Sequence, residues 1–324
     1  MTAALLELIL AQERCFDAKD MSEIQKKIHK NQLAEKHMAH IKKAEDIREK
    51  APRELQLAID LASEKGASSW VTARPLLSHP WTVLNKGEFR DAIYLRYGWE
   101  PPRMPEKCGC GAKFTVPHAM QCMTGGYRGQ MHNAVQYFFY DTMKDAGFKD
   151  VVWEPELQPL EGETFKYKSA KKDEEARSDV RVLGFWSRLR RAFFDIAAFS
   201  PFALSYRGQS LSRTFVMHEQ RKWREYGERI RNVEHGDFTP LIVATTGGIG
   251  YQGTLVLKRL GVILAEKRNE QLSVTMSFLR CRLSFAILKS AILCLRGSRP
   301  LRRKEEVEQQ VIDLAVSEVG ISLH

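Results

Sequence analysis

Four soft metal ligands fall within one short stretch of a chain that holds only six cysteines: Cys108, Cys110, His118 and Cys122, in the segment CGCGAKFTVPHAMQC. Three thiolates and one imidazole fill the tetrahedral shell of Zn²⁺ and leave no open position, so the chemistry expected is structural and not catalytic. Gly109 and Gly111 suit a tight turn between the ligands, and Phe114 and Val116 supply apolar packing beneath it. The single residue between Cys108 and Cys110 is tighter than the usual spacer of two to four. Cys15, Cys281 and Cys294 lie apart from this group and read as ordinary thiols of a reducing, intracellular compartment.

A second constellation is acidic and dispersed. Asp179 in SDVRVLGF and Asp195 in RAFFDIAAF stand in consecutive strand-like runs, Asp195 flanked by Phe193, Phe194 and Ile196. A carboxylate inside an apolar strand costs several kcal/mol unless it is paired or holds a cation. Two of them about one hairpin apart point to a shared divalent ion, for which Mg²⁺ or Mn²⁺ is suited because protein carboxylates, water and substrate phosphate complete the shell. Glu154 in VVWEPEL could add a third oxygen. In EQRKWREYGERI, Lys222 and Tyr226 sit four residues apart and share a helix face, where the lysine would polarise phosphate or orient water. These are the parts of phosphodiester hydrolysis. Taken singly, each has a plainer reading, as a strand-edge aspartate or a solvated helix face.

The elements that must position these groups follow from periodicity. Residues 1–52 are rich in Lys, Glu, Gln and Ala and read as a charged helical arm that ends at Pro52. Residues 53–105 read as a helical linker, with helices over 54–66 and 87–99, and the metal-ligand segment occupies 106–126. From 127 to 300 the pattern predicts a helix over 130–146, strands at DVVWEPELQPL, SDVRVLGF and RAFFDIAAF, a long helix over 211–233, a strand at PLIVATTGG, and helices over 254–271 and 274–295. Residues 301–324 form a tail. The fold class expected is α/β with a small mixed sheet flanked by helices. TTGGIG, with no lysine and serine after it, reads as a strand-to-helix turn and not as a phosphate loop.

Net charge is +10 with a pI near 9.3, which favours a polyanionic partner. Nothing selects a membrane: charge, proline or glycine interrupts each apolar run before the ~20 residues that a spanning helix needs, and no signal peptide is read at the start of the chain. Basic and aromatic residues interleave in FWSRLRRAFF, which contains Arg188, Arg190 and Arg191, in RKWREY, and in the run RGSRPLRRK near the end. Arginines there suit phosphate neutralisation, and Trp186 or Trp223 suits base stacking if not absorbed into the core.

In order and spacing, CGCGAKFTVPHAMQC, GGYRGQMHN, RSDVRVLGFW, AFFDIAAFSP, RKWREYGERI and FTPLIVATTGGIG resemble the C-terminal end of the polyprotein of site-specific, early-branching LINE-type retrotransposons. There a zinc knuckle precedes a restriction-like endonuclease of the PD-(D/E)xK superfamily. The resemblance covers about residues 54–300. It implies a restriction-endonuclease-like core, with Asp179 and Asp195 as the catalytic carboxylates, Lys222 and Tyr226 as the downstream pair, and Arg128, His132 and Asn133 in place of the Arg-His-Asn element. It implies structural Zn²⁺, catalytic Mg²⁺ or Mn²⁺, DNA and element RNA as partners beside the reverse transcriptase portion of the same polyprotein, and a nuclear location. Three departures stand out: Ser178 replaces the proline before Asp179, Ala197 stands where the superfamily pattern has lysine, and three residues separate Arg128 from His132. The chain has no Tyr/Phe-x-Asp-Asp polymerase motif. The expected activity is a target-nicking endonuclease, with a catalytically silent nucleic-acid-binding module as the alternative.

Overall fold

A computed structural model describes residues 18–76, 78–158, 177–206 and 208–297. The expected tail 301–324, most of the run RGSRPLRRK and Cys15 lie outside these. The chain divides into two units, the first ending at Asp60 and the second starting at Leu61.

In the first unit, helix α1 (Ala18–Lys50) is built from strong helix formers and is polar around its whole circumference. Its scattered apolar residues, among them Leu33 and Met38, are exposed and form no buried stripe. Helix α2 (Arg53–Ser63) begins just after Pro52, and Arg48 pairs with Asp60 through both carboxylate oxygens at 2.5 and 2.8 Å.

The second unit is mixed α/β. Helix α3 (Lys86–Arg96) starts with a capping box in which Asn85 and Glu88 satisfy each other's backbone N–H groups. Its buried Asp91 takes a bidentate pair from Arg296 at 2.5 and 2.8 Å, so the first arginine of the C-terminal basic run is engaged within the fold. After the metal-ligand segment and its short helix α4 (Val116–Ala119), helix α5 (Tyr127–Asp145) opens behind Gly125 and Gly126, both with positive φ. Strands β1 (Val151–Trp153), β2 (Val180–Leu183) and β3 (Arg191–Phe199) form an antiparallel run, and β4 (Asp237–Ala244) adds parallel to β3. A parallel neighbour requires a crossover, supplied here by α6 (Leu211–Lys222), a π turn (Trp223–Gly227) and α7 (Glu228–Asn232). Helices α8 (Tyr251–Arg268) and α9 (Leu272–Arg296) complete the unit.

Alternation along β3 decides where the chemistry lies. Ala192, Phe194 and Ile196 join Leu241 and Val243 of β4 in a core with Val135, Phe139 and Met143 of α5, Leu260 of α8 and Leu283 of α9. The opposite set, Phe193, Asp195, Ala197 and Phe199, faces the crossover, where Phe193 packs with Ile230 and Phe238, and Phe199 with Phe215 and Ile242. Asp195 is thus the polar member of an otherwise apolar face. β3 is covered on both sides, which explains its nearly continuous apolar run. β4 is the sheet's edge, and the TTGGIG turn folds back over its far end: Gly250 N–H donates to Ile242 O and Ala244 N–H to Gly248 O, both at 2.8 Å. Gly247 (φ 108°) makes that return at a point where a Cβ would come within 2.9 Å of Ala67 Cα.

No helix among the described residues is long and apolar enough to cross a membrane.

Candidate metal centre and acidic site

The metal-ligand segment is a hairpin. Lys107 and Lys113 bridge antiparallel, Cys108 N–H donates to Ala112 O, and Phe114 N–H to Glu106 O. Gly111 takes φ 90°, the positive φ that its turn needs. Thr115 caps α4 by accepting from His118 N–H at 3.2 Å, which fixes the histidine against the hairpin, and Cys122 N–H then donates to His118 O. The four ligand atoms all lie within 4.8 Å of one another. Cys108 Sγ and Cys122 Sγ are 3.7 Å apart, and Cys110 Sγ is 3.4 Å from His118 Nε2. Bond lengths to zinc of about 2.3 Å for sulfur and 2.0 Å for nitrogen give tetrahedron edges of about 3.8 and 3.5 Å, so the cluster fits a metal ion of the size and preference of Zn²⁺. The Cys108 sulfur accepts from Cys110 N–H, and the Cys122 sulfur from the Thr124 N–H and hydroxyl, an outer shell of the kind that orients metal ligands. Phe114, Ala119 and Met120 pack below, against Met131 of α5 and Ala291, Cys294 and Leu295 of α9.

The acidic site lies where β2 begins beside the middle of β3. Asp179 N–H donates to Phe194 O at 3.1 Å, and the Ile196 N–H donates back to Asp179 Oδ2. Asp179 Oδ1 lies 3.1 Å from His132 Nε2. Its carbonyl accepts two further donors at 2.9 Å, the Gln136 side-chain amide and the Glu154 N–H. Asp179 is therefore held at backbone and carboxylate by three elements. Asp195 is 5% exposed, and Lys222 Nζ reaches its Oδ2 at 2.8 Å. The approach is that of an ion pair, since its angle leaves Oδ2 without a well-formed hydrogen bond. Lys222 also lies 3.5 Å from Glu225 and 5.1 Å from the centroid of the Tyr226 ring.

The electrostatics follow from burial and crowding. Loss of solvent, then the charge of Asp179, pushes the Asp195 carboxyl up to about 7 against the pull of Lys222. Burial works to discharge Lys222, but the Asp195 charge and contact outweigh it and hold the ammonium above its ordinary range. Burial first, and the Asp195 charge second, raise the Tyr226 phenol. His132 is likewise opposed by burial, yet Asp179 raises it.

The structure thus brings Asp179, Asp195, Lys222, Tyr226 and His132 together, with Lys222 just before a π turn and Tyr226 within it, where a continuous helix was expected. Glu154 joins through its main chain, in a left-handed conformation (φ 45°). Among the described residues the Cys/His cluster is the only group of three or more potential ligands within 4.8 Å of one another, so the three carboxylates do not form a closed cage. Arg128, one turn before His132, reaches toward Ala198 O at 3.5 Å, and Asn133 is exposed on the same helix. Arg188 and Arg191 are exposed at the β2–β3 turn; four strand steps, about 13 Å, lead from Arg191 to Asp195. Arg190 pairs with Asp237 at 3.2 Å.

Sequence reasoning missed Gln136 and Glu225. Arg128, His132 and Gln136 recur every four residues, and that polar stripe on an otherwise core-facing helix was the available signal. It missed His218 as well, a buried imidazole bonded to Tyr206 Oη at 2.9 Å and pushed down to about 4 by desolvation and by Arg221, Arg128 and Lys222. A scan against protein-family models gives no match for this chain, and a search of curated proteins gives none either.

Proposed function

We propose that the chain is a divalent-metal-dependent DNA endonuclease that nicks a chromosomal target for retrotransposon priming, the polymerase-free portion of such an element's polyprotein. The observation that carries this reading is the buried Asp195, set in an apolar strand face against Lys222 and beside Asp179. A fold gains nothing in stability from two crowded carboxylates at such a position, and perturbed groups of this kind concentrate at functional sites. The residues also fit a hard cation: both carboxylates offer oxygen, and a dication would relieve the repulsion that raises Asp195. Asp179 and Asp195 would hold Mg²⁺ or Mn²⁺, which when bound supplies Lewis-acid charge and lowers the pKa of water.

This chain's own residues do the rest. His132, Gln136 and the Ile196 N–H hold Asp179 in one orientation. Lys222 places a positive charge where the phosphate gains negative charge, and Glu225 and Asp195 restrain its stem. Tyr226, kept protonated, has a hydroxyl to donate. Water oxygen would bond to phosphorus as its proton passes to bulk water, the bond to O3′ would break, and O3′ would take a proton from solvent and leave as the 3′ hydroxyl that primes synthesis. The Cys/His hairpin, a structural zinc knuckle in this reading, braces the start of α5 and grips DNA beside Arg128. DNA and element RNA are the partners, with the reverse transcriptase portion of the same polyprotein, in the nucleus.

The test is nicking of supercoiled plasmid by zinc-loaded protein, with and without Mg²⁺ or Mn²⁺, beside Asp195→Ala. Metal-dependent nicking that the variant loses, with DNA binding kept, is the expected result; nicking retained by the variant removes the assignment. A second reading, a silent nucleic-acid-binding module, is favoured by two observations: Glu154 does not close the carboxylate group, and Lys222 partly neutralises Asp195. It predicts salt-sensitive binding without nicking.

A further inference from the structure

A cleft of about 370 Å³ opens at the start of β4, away from Asp179, between Trp186, Trp223, Arg190, Arg231, Asp237 and Phe238. Trp186 is fixed by its indole N–H, which donates to Thr239 Oγ1 at 2.9 Å. Trp223 meets Phe238 edge to face and carries the Arg231 guanidinium 5.8 Å above its ring. Arg190 pairs with Asp237 Oδ1, while Asp237 Oδ2 is buried with no hydrogen-bond donor.

The backbone at this place is open too. Along β4 the outward-facing groups alternate with those facing β3. Ile242 and Ala244 bond to the TTGGIG turn, and by the same alternation Pro240 and Phe238 also face outward. Pro240 has no N–H, as suits an edge position. Among the described residues no backbone group outside the sheet bonds Phe238, which is itself part of the cleft wall. One open residue is too short a run for strand addition, which needs successive pairs. It does match a planar heterocycle with a donor and an acceptor on its rim. The two indoles offer aromatic surface, and the two arginines can meet the phosphates on either side. Phe238 pairs with Phe193, two residues along β3 from Asp195 and so about 7 Å away in strand terms.

We propose that this cleft binds a nucleobase of unpaired nucleic acid next to the scissile position, so that the protein engages single-stranded or locally opened DNA in preference to intact duplex. The inference takes its ligand class from the endonuclease reading and adds the state of the strand.

The experiment uses full-length Asp195→Ala protein and fluorescence anisotropy with a labelled 20-residue single strand, the same strand containing abasic positions, and the matching duplex. The single strand should bind about tenfold more tightly than either of the others. Gln252→Trp, which fills the cleft from its wall, and Arg231→Ala should each erase that preference and leave duplex affinity unchanged. Equal affinity for all three nucleic acids, or equal loss for all three in the variants, overturns the proposal. Plasmid nicking by the otherwise wild-type protein is run alongside. Nicking without strand preference leaves the nuclease and removes the base site, whereas strand preference without nicking leaves the base site and removes the nuclease.

Discussion

The Cys/His hairpin and the acidic end of the sheet each converge several reactive side chains within a few ångströms, by opposite means. In the hairpin, ligands close in sequence are drawn together by a turn, a cap and a one-turn helix, and all four ligand atoms are gathered within 4.8 Å. In the acidic site, residues from 132 to 226 arrive on α5, β2, β3 and the crossover, and charge stays crowded and only partly neutralised. A metal ion held by the first would complete it and stabilise the fold. The second is held by packing that exists for other reasons, and it carries unrelieved repulsion. The difference is between ligands gathered around one point and carboxylates crowded beside a single lysine.

The largest effect that would test this contrast is at the hairpin. Cys108→Ser in zinc-loaded protein should remove about 5 kcal/mol or more, given the size of structural zinc contributions, and should abolish the thiolate-to-metal absorption band of the Co²⁺-substituted protein. An unchanged melting curve after chelation would erase the distinction between the two regions. Next comes Lys222→Met, which leaves Asp195 buried without its cation. A loss of about 3 to 5 kcal/mol is expected, and Lys222→Met with Asp195→Leu should recover most of that stability in urea titrations while staying inactive. Recovery of nicking by the double variant would show that the pair serves packing alone.

A smaller effect is on pH. The folded Asp195 carboxyl, at about 7, lies above its unfolded value of about 3.9. The folded state therefore binds the proton more tightly, and this group's contribution is greatest below pH about 4, falls from there to about 7, and is flat beyond. At ~1.4 kcal/mol per pKa unit, discounted for Lys222, the fall is about 2 to 4 kcal/mol. Melting temperature against pH for metal-free protein should show it, and Asp195→Asn should flatten it. His132, also raised by Asp179, adds in the same direction: its contribution is present below its unfolded pKa and is lost as pH rises through the folded one. The smallest effect is Glu154→Gln, whose carboxylate is not gathered with the other two. Nicking should fall by less than about tenfold, or ~1.4 kcal/mol of barrier. A drop as large as that of Asp195→Ala would mean that the three carboxylates close around a cation after all.

The order of elements was legible because long periodic runs dominate this chain: PLIVATTGG and RAFFDIAAF could be little but buried strands, and Gly66 and Pro52 bound the helix at Arg53–Ser63. The hairpin ligands were legible for the same local reason. What stayed hidden was long-range. His132 meets Asp179 across 47 residues and Gln136 across 43, and no spacing rule reports a contact that depends on how α5 crosses the end of the sheet. The helix over 130–146 begins earlier, at Tyr127, because Gly125 and Gly126 place the turn ahead of it. Trp186 and Trp223 read as either core or stacking surface, and the structure leaves each partly buried at a cleft wall, which composition could not decide.

The π turn at Trp223–Gly227 sets the phase of everything after it. Such a turn holds one residue more than an α-helix of the same span. An extra residue rotates all that follows by about 100°, which lets Lys222 aim at Asp195 while Ile230, eight positions on, still reaches the core. Gly227 lies so close to the Trp223 ring that a Cβ would fall 2.3 Å from it. Deleting one residue here should give back an ordinary helix whose two ends no longer serve both tasks.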